Sequence, residues 1–213
     1  MPNPRALHPR LPEASIPPGT KGRILNSALA SFASLGYSGA SMRTIAEATR
    51  INPATMYSHY PSKEHILAEL VSIGSHELLA RIMASLAETT SPEERFDAVI
   101  GATARAHAEY PLLATVTNGH LAALGPDLAG PATSPTTEAA ALLREILAEG
   151  VASGAFDIPE PEITAHILEG MAQQIPTWVD PEVDDAGRIA EAYVRIARRV
   201  VSSYRDTTGA DHG

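Results

Sequence analysis

Seven basic side chains (Arg5, Arg10, Lys21, Arg23, Arg43, Arg50 and Lys63) outnumber three acidic ones (Glu13, Glu47 and Glu64) in the first 66 residues. That end carries +4 in a chain whose formal charge is -9, so the remainder carries -13. Phosphate is attracted to the first part and repelled by the second. Catalytic chemistry is poorly represented. The chain has no cysteine, which excludes disulfides, thiolate metal sites and cysteine nucleophiles. His166 and Glu169 have the three-residue spacing of helical carboxylate metal sites, but the pair occurs once, and His107 and Glu109, two apart, face differently. There is no HExxH run, no phosphate-cradling glycine loop and no Ser-His-Asp arrangement to defend. The expectation is a protein that is not an enzyme and needs no cofactor or metal.

Three of the basic groups, Arg43, Arg50 and Lys63, sit on or beside two short helices predicted within Ser41 to Lys63. Ser41 can cap the first, which runs through Met42, Arg43 and Thr44 with Ile45, Ala46 and Ala48 on its apolar side. Asn52 can cap the second with Pro53 at its first position, where the missing N–H costs no helix bond, and Pro61 stops it. Helices this short need a third to pack on. Leu25, Ala28, Leu29, Phe32 and Ala33 supply it from a start near Thr20, with Gly36 placed for a left-handed cap and Tyr37 for a contact back onto the bundle. Three small helices with the last presented to the major groove is a known DNA-reading plan, although short amphipathic pairs also occur in other all-α proteins.

Downstream the pattern stays helical. A long helix from a Ser62 cap runs through Ile66, Leu70, Ile73, Leu78, Ile82 and Leu86 as a connecting rod. Ser91, Pro92 and Glu94 form a strong start signal for a helix to about Tyr110. Pro111 breaks it, Leu112 to Leu124 resumes, Gly125 to Ser134 reads as a turn-rich loop, and Ser134 and Pro135 open the next helix. The penultimate helix is expected from Pro159 and the last from Asp180 and Pro181. On the last, Ile189, Tyr193, Ile196, Val200 and Tyr204 form a stripe that is either core or a subunit interface, to which Ile167 of the preceding helix is added. The proline-rich first 19 residues read as a flexible arm rather than a signal peptide, and 206–213 as a flexible tail. No run approaches the length of a membrane span, so a cytoplasmic protein without membrane contact is expected.

Residues 20 to 67 resemble the TetR family of bacterial transcriptional repressors. The landmarks are Gly36-Tyr37, the SMRTIAEA of residues 41 to 48, Tyr57-Ser58-His59-Tyr60 and Lys63-Glu64. The chain departs from the family at Thr49-Arg50, where Ala-Gly is usual, and at Tyr60, where Phe is usual. Arg50 costs on the order of 1 kcal/mol if the left-handed turn is kept, which a phosphate contact can offset. The resemblance implies an all-α chain: a three-helix head with a helix-turn-helix at 20–66, then a helical effector-binding and dimerisation domain at 67–205.

Carried over residue by residue, it places Arg43, Thr44, Tyr57, His59 and Lys63 at DNA phosphates. Pro53, Ala54 and Thr55 are placed at base edges, with Lys21 and Arg23 adding backbone contacts. It implies palindromic double-stranded operator DNA as partner, a homodimer, and a small effector that favours the DNA-incompetent state. His107, Tyr110, Asn118, His120, Met171, Gln174 and Trp178 are the candidate pocket walls, because each adds a polar or aromatic feature to segments of Leu, Ile and Ala; that background favours a hydrophobic or amphipathic effector. The expected function is a one-component repressor. An activator of the same fold, or an interaction module that has lost operator binding, are the alternatives.

Overall fold

The computed structural model describes residues 9–202. Arg5, Tyr204, residues 1–8 of the expected arm and the 206–213 tail lie outside them. The described part is all-α, with no strand among the described residues. Nine α-helices are described: α1 (Thr20–Gly39), α2 (Met42–Thr49), α3 (Pro53–His59), α4 (Lys63–Leu86), α5 (Pro92–Glu109), α6 (Pro111–Gly119), α7 (Pro126–Ser153), α8 (Pro161–Gln173) and α9 (Ala186–Val201).

Local signals set most of the starts. Ser41 Oγ accepts the Thr44 N–H at 3.1 Å while the Thr44 hydroxyl accepts the Ser41 N–H at 2.9 Å, so two orphan amides are satisfied at once. Asn52 Oδ1 accepts the Thr55 N–H at 2.7 Å ahead of Pro53. Ser91 and Glu94 form a second reciprocal cap. Ser62 precedes α4 but does not cap it; its hydroxyl lies 3.0 Å from His65 Nδ1 instead.

Gly36 does break α1, but not as a simple left-handed cap. Its φ of 71° comes with ψ of 162°, a combination nearly restricted to glycine, and one further turn follows to Gly39. That turn lays the Tyr37 ring 5.3 Å from the Phe32 ring.

Two apolar cores carry the structure, with a smaller third beside them. The first contains Ile24, Leu25, Leu29, Phe32, Ile45 and Met56 of the head and continues through Leu67, Leu70 and Val71 of α4 to Leu113 and Val116 of α6. Residues 9–19 join it rather than forming a free arm: Leu11 is 2% exposed, Ile16 packs on the same core, and Glu13–Ser15 forms a single 3-10 turn. The second core gathers Ile82, Phe96, Val99, Ile100, Leu143, Ile146, Leu147 and Leu168 from α4, α5, α7 and α8.

Four boundaries differ from expectation. The segment 125–134 is not a loop: α7 starts at Pro126 and keeps Pro131 and Pro135 inside it. Each proline removes a backbone donor at a cost of about 3 kcal/mol in a helix interior. The packing of α7 on α4 overrides that preference, since Ala132 and Pro135 are buried and the Thr136 hydroxyl donates to Ser75 Oγ of α4 at 2.8 Å. Helix α6 ends at Gly119, and Leu121–Ala123 forms a 3-10 turn. Helix α8 starts at Pro161, and α9 starts at Ala186, capped by Asp185, which accepts the Arg188 N–H at 2.9 Å.

Candidate nucleic-acid interface and internal cavity

Helix α3 is anchored by Met56, which is fully buried, so the opposite face turns outward. Pro53, Ala54, Tyr57, Ser58 and His59 are exposed, and Thr55 is half-buried. Tyr57 is 57% exposed, unusual for a ring with no partner to shield it. The face can offer small apolar contacts from Pro53 and Ala54, a hydroxyl from Thr55, and longer donors from Tyr57 and His59. Arg43 stands free of the surface on α2 and is paired only with Glu47, at 2.9 Å. Its terminal guanidinium nitrogens stay available for phosphate.

Arg50 occupies the turn between α2 and α3 with φ 58° and ψ 46°, the one non-glycine residue in the left-handed region among the described residues. The turn geometry that glycine would adopt is therefore kept, and its strain with it. The side chain is exposed.

Several of the other expected DNA contacts already have partners within the protein. Lys63 Nζ donates to the Tyr37 carbonyl at 2.9 Å and the Ala40 carbonyl at 3.1 Å, and lies 4.2 Å from the centroid of the Tyr37 ring. It clips the end of α1 to the start of α4, which corrects its reading as a phosphate contact. Thr44 spends its hydroxyl in the Ser41 cap, donating to the Ser41 carbonyl at 2.9 Å. Lys21 pairs with Glu69 at 2.8 Å. The same carboxylate accepts the hydroxyl of the buried Tyr60 at 2.9 Å, so the extra oxygen of Tyr60 relative to Phe has a partner. Burial and that bond push the Tyr60 phenol well above its ordinary range. Arg23 is exposed and reaches Thr20 Oγ1 at 3.3 Å.

Below the head, α4, α5, α6 and α7 border a cavity of about 420 Å³ that is partly open to solvent. A smaller lobe of about 110 Å³ adjoins it between α4, α5, α7, α8 and α9. His107, Asn118, Leu78, Thr136 and Ala140 line both. Of the expected wall residues, His107, Tyr110 and Asn118 line the larger lobe and Met171 the smaller. Three do not. The His120 ring lies 6.0 Å from that of Tyr37 at the head. Gln174 is exposed, and its neighbour Gln173 lines the smaller lobe. Trp178 is 55% exposed.

The wall also includes residues that sequence reasoning missed: Thr133, Thr136, Thr137 and Arg144 of α7, with Ser75 and Thr117. The threonines at 133, 136 and 137 have helical spacing, a signal hidden by reading that stretch as a loop. Charged groups on the wall are already paired. Arg144 meets Glu162 at 3.1 Å and Glu169 at 3.5 Å, and Glu77 meets Arg81 at 2.6 Å. Burial lowers the His107 imidazole to about 4, so it is neutral at pH 7. Its Nδ1 is buried without a partner, and its Nε2 has only Asn118 Nδ2, at 3.5 Å.

The expected subunit-interface set divides. Ile167 and Ile196 are 52% and 48% exposed, Val200 is also exposed, and Ile163 joins them. Ile189 instead packs within its own subunit against Ala104, Ala108, Ile175 and Val179. Tyr193 is half-buried between two cores, its hydroxyl donating to the Met171 carbonyl. On α9 Ile189, Ala190, Ala197 and Val201 are buried, whereas Ile196 and Val200 are exposed. Among the described residues no helix is long and apolar enough to cross a membrane, and no group of three or more His, Asp or Glu is gathered for a metal.

The description "Bacterial regulatory proteins, tetR family" matches residues 24–70, and "Tetracyclin repressor-like, C-terminal domain" matches residues 89–201. The transcriptional regulator UidR of Escherichia coli K12 is 37% identical over 62 residues, 29% of this chain and 32% of UidR. The transcriptional repressor KstR of Mycolicibacterium smegmatis is 30% identical over 91 residues, 43% of this chain and 45% of KstR. The chain thus spans from about a third to under half of the length of these curated relatives. A crystal structure of a bacterial regulatory protein in the tetR family from Rhodococcus RHA1 superposes with a TM-score of 0.80 at 25% identity, covering 87% of this chain and 98% of that one.

Proposed function

This chain belongs to the TetR family of bacterial regulatory proteins, and from that premise we propose that it is a transcriptional repressor. It binds palindromic operator DNA as a homodimer and is released by a small hydrophobic or amphipathic effector. The observation that carries the reading is the outward face of α3. Its anchor Met56 is buried, its recognition residues Pro53, Ala54, Thr55, Tyr57 and His59 lie on the other side, and Arg43 stands beside them with donors to spare.

In this reading Arg43, Tyr57, His59 and Arg50 hold phosphates, and Ala54 and Thr55 meet base edges, with thymine methyls as the natural apolar partners. Arg23 extends the contact from α1. The two copies pair through the apolar patch of Ile163, Ile167, Ile196 and Val200 on α8 and α9. A patch of that kind is costly to leave in water and sets the spacing of two heads on a two-fold site. The cavity beneath the head receives the effector. It lies against α4, which also carries the Lys63 clip to the head, so a ligand that shifts α4 moves the reader.

A titration of the full chain against its own upstream intergenic DNA, with salt varied and random DNA as competitor, tests this. The expected result is tight binding confined to a palindromic fragment, with log K falling linearly in log salt. Equal weak binding to every fragment, persisting after lipid extraction and a genome-wide selection for sites, would remove the repressor reading.

A further inference from the structure

The cavity's walls discriminate among effectors more sharply than its size does. Its charged residues are spent on one another: Arg144 on Glu162 and Glu169, and Glu77 on Arg81. A carboxylate or phosphate entering there would have to share Arg144 with Glu162 and Glu169, and losing its hydration without a full counter-charge is costly. The threonines are spent too, in one direction. Thr133 donates to the Ala129 carbonyl at 2.9 Å, Thr136 to Ser75 Oγ at 2.8 Å and Thr117 to the Ala114 carbonyl at 3.2 Å. Their protons point into the protein, so they present oxygen lone pairs to the cavity. The smaller lobe is mostly apolar, with Ile82, Val99, Ile100, Leu143 and Leu168 beside Thr103, Glu169 and Gln173.

Where the lobes meet stands His107, 9% exposed, with one ring nitrogen unpartnered and the other on a 3.5 Å contact to Asn118. A buried polar atom left without a bond costs about 1–3 kcal/mol, and rotation about the Cβ–Cγ bond exchanges the ring positions, carrying Nδ1 to the other edge. A neutral imidazole has one donor and one acceptor. A hydroxyl complements either, and it can donate to the threonine oxygens as well.

We infer that the effector is an uncharged hydrocarbon bearing a hydroxyl group, its apolar end in the smaller lobe and its hydroxyl on His107 and the threonine-lined wall. This rests on the reading of the cavity as the effector site and deepens it. The same walls disfavour a carboxylate or phosphate placed inside the cavity.

The test is calorimetric titration of the full chain with four probes of equal chain length: n-dodecanol, dodecan-2-one, dodecanoate and dodecane. Dodecanol is expected to bind at least about tenfold more tightly than dodecanoate, and more tightly than the ketone and the alkane, by roughly one neutral hydrogen bond. In His107→Leu that advantage over dodecane is expected to vanish while dodecane binding persists, and His107→Gln restores part of it. Persisting dodecane binding also shows that the variant is folded. Dodecanoate binding as well as dodecanol, or a preference for dodecanol unchanged in His107→Leu, overturns the inference and leaves the effector cavity standing. Failure of all four probes overturns the cavity reading along with it.

Discussion

Acidification should destabilise this protein through His107. The imidazole falls from its ordinary 6.5 to about 4 because burial penalises the charged ring. A base with a folded pKa below its unfolded value binds its proton more readily when the chain is unfolded. Stability is therefore intact above about pH 6.5, declines as the pH falls from there, and has lost the whole contribution near pH 4. With about 1.36 kcal/mol for each pH step between the two values, the loss totals roughly 3 kcal/mol. That is a large share of the 5–15 kcal/mol that holds a typical domain. Urea unfolding measured at intervals from pH 7.5 to pH 4, for the native chain and His107→Leu, isolates the effect from the other titrating groups. The stability of the native chain relative to His107→Leu should fall by about 3 kcal/mol from pH 7.5 to pH 4. Parallel curves would show that His107 is solvated or paired in the folded state, and the argument from burial would be wrong.

Four further outcomes are expected. Arg50→Gly relieves the left-handed strain at φ 58° and should gain up to ~1 kcal/mol, or ~2–4 °C in Tm, while weakening DNA binding if the guanidinium meets phosphate; scanning calorimetry and a salt titration separate the two. Lys63→Met removes the donor to the Tyr37 and Ala40 carbonyls and should cost about 1–2 kcal/mol in urea unfolding with an unchanged salt slope, whereas Arg43→Ala should lower the slope by about one with stability unaffected. Gly150→Ala places a methyl into the Phe156 ring, which stands edge-on to Phe96 at 5.4 Å and cannot retreat; overpacking of about 1–3 kcal/mol is expected in thermal unfolding. Ile196→Asp should shift the sedimenting species from dimer to monomer and, with it, abolish tight binding to a palindrome while leaving helicity intact.

Much of the reader head was legible because its determinants are close in sequence. Ser41 with Thr44, Asn52 with Thr55, and Ser91 with Glu94 act across three residues, so the cap and the helix it starts can be read together. The strain at Arg50 was legible for the same reason. The cavity was half legible: His107, Tyr110, Asn118 and Met171 stood out as polar or aromatic breaks in apolar helices. His120, Gln174 and Trp178 stood out equally, yet they face the head or solvent, because a residue's type does not say which side of a helix meets a neighbour.

The amino-acid order alone thus determined the helical class, the order of the head's helices, the breaks at Gly36 and Pro111 and the separation of charge between the two ends, all of which depend on near neighbours or on composition. Only the tertiary structure decided what meets across long separations. It gave the Lys63 ammonium to carbonyls of residues 37 and 40, turned Ile189 and Tyr193 of the last helix inward, and held residues 126–135 helical against their prolines by packing them on α4. These outcomes rest on burial and pairing between distant segments, and such energies exist only once the segments are brought together.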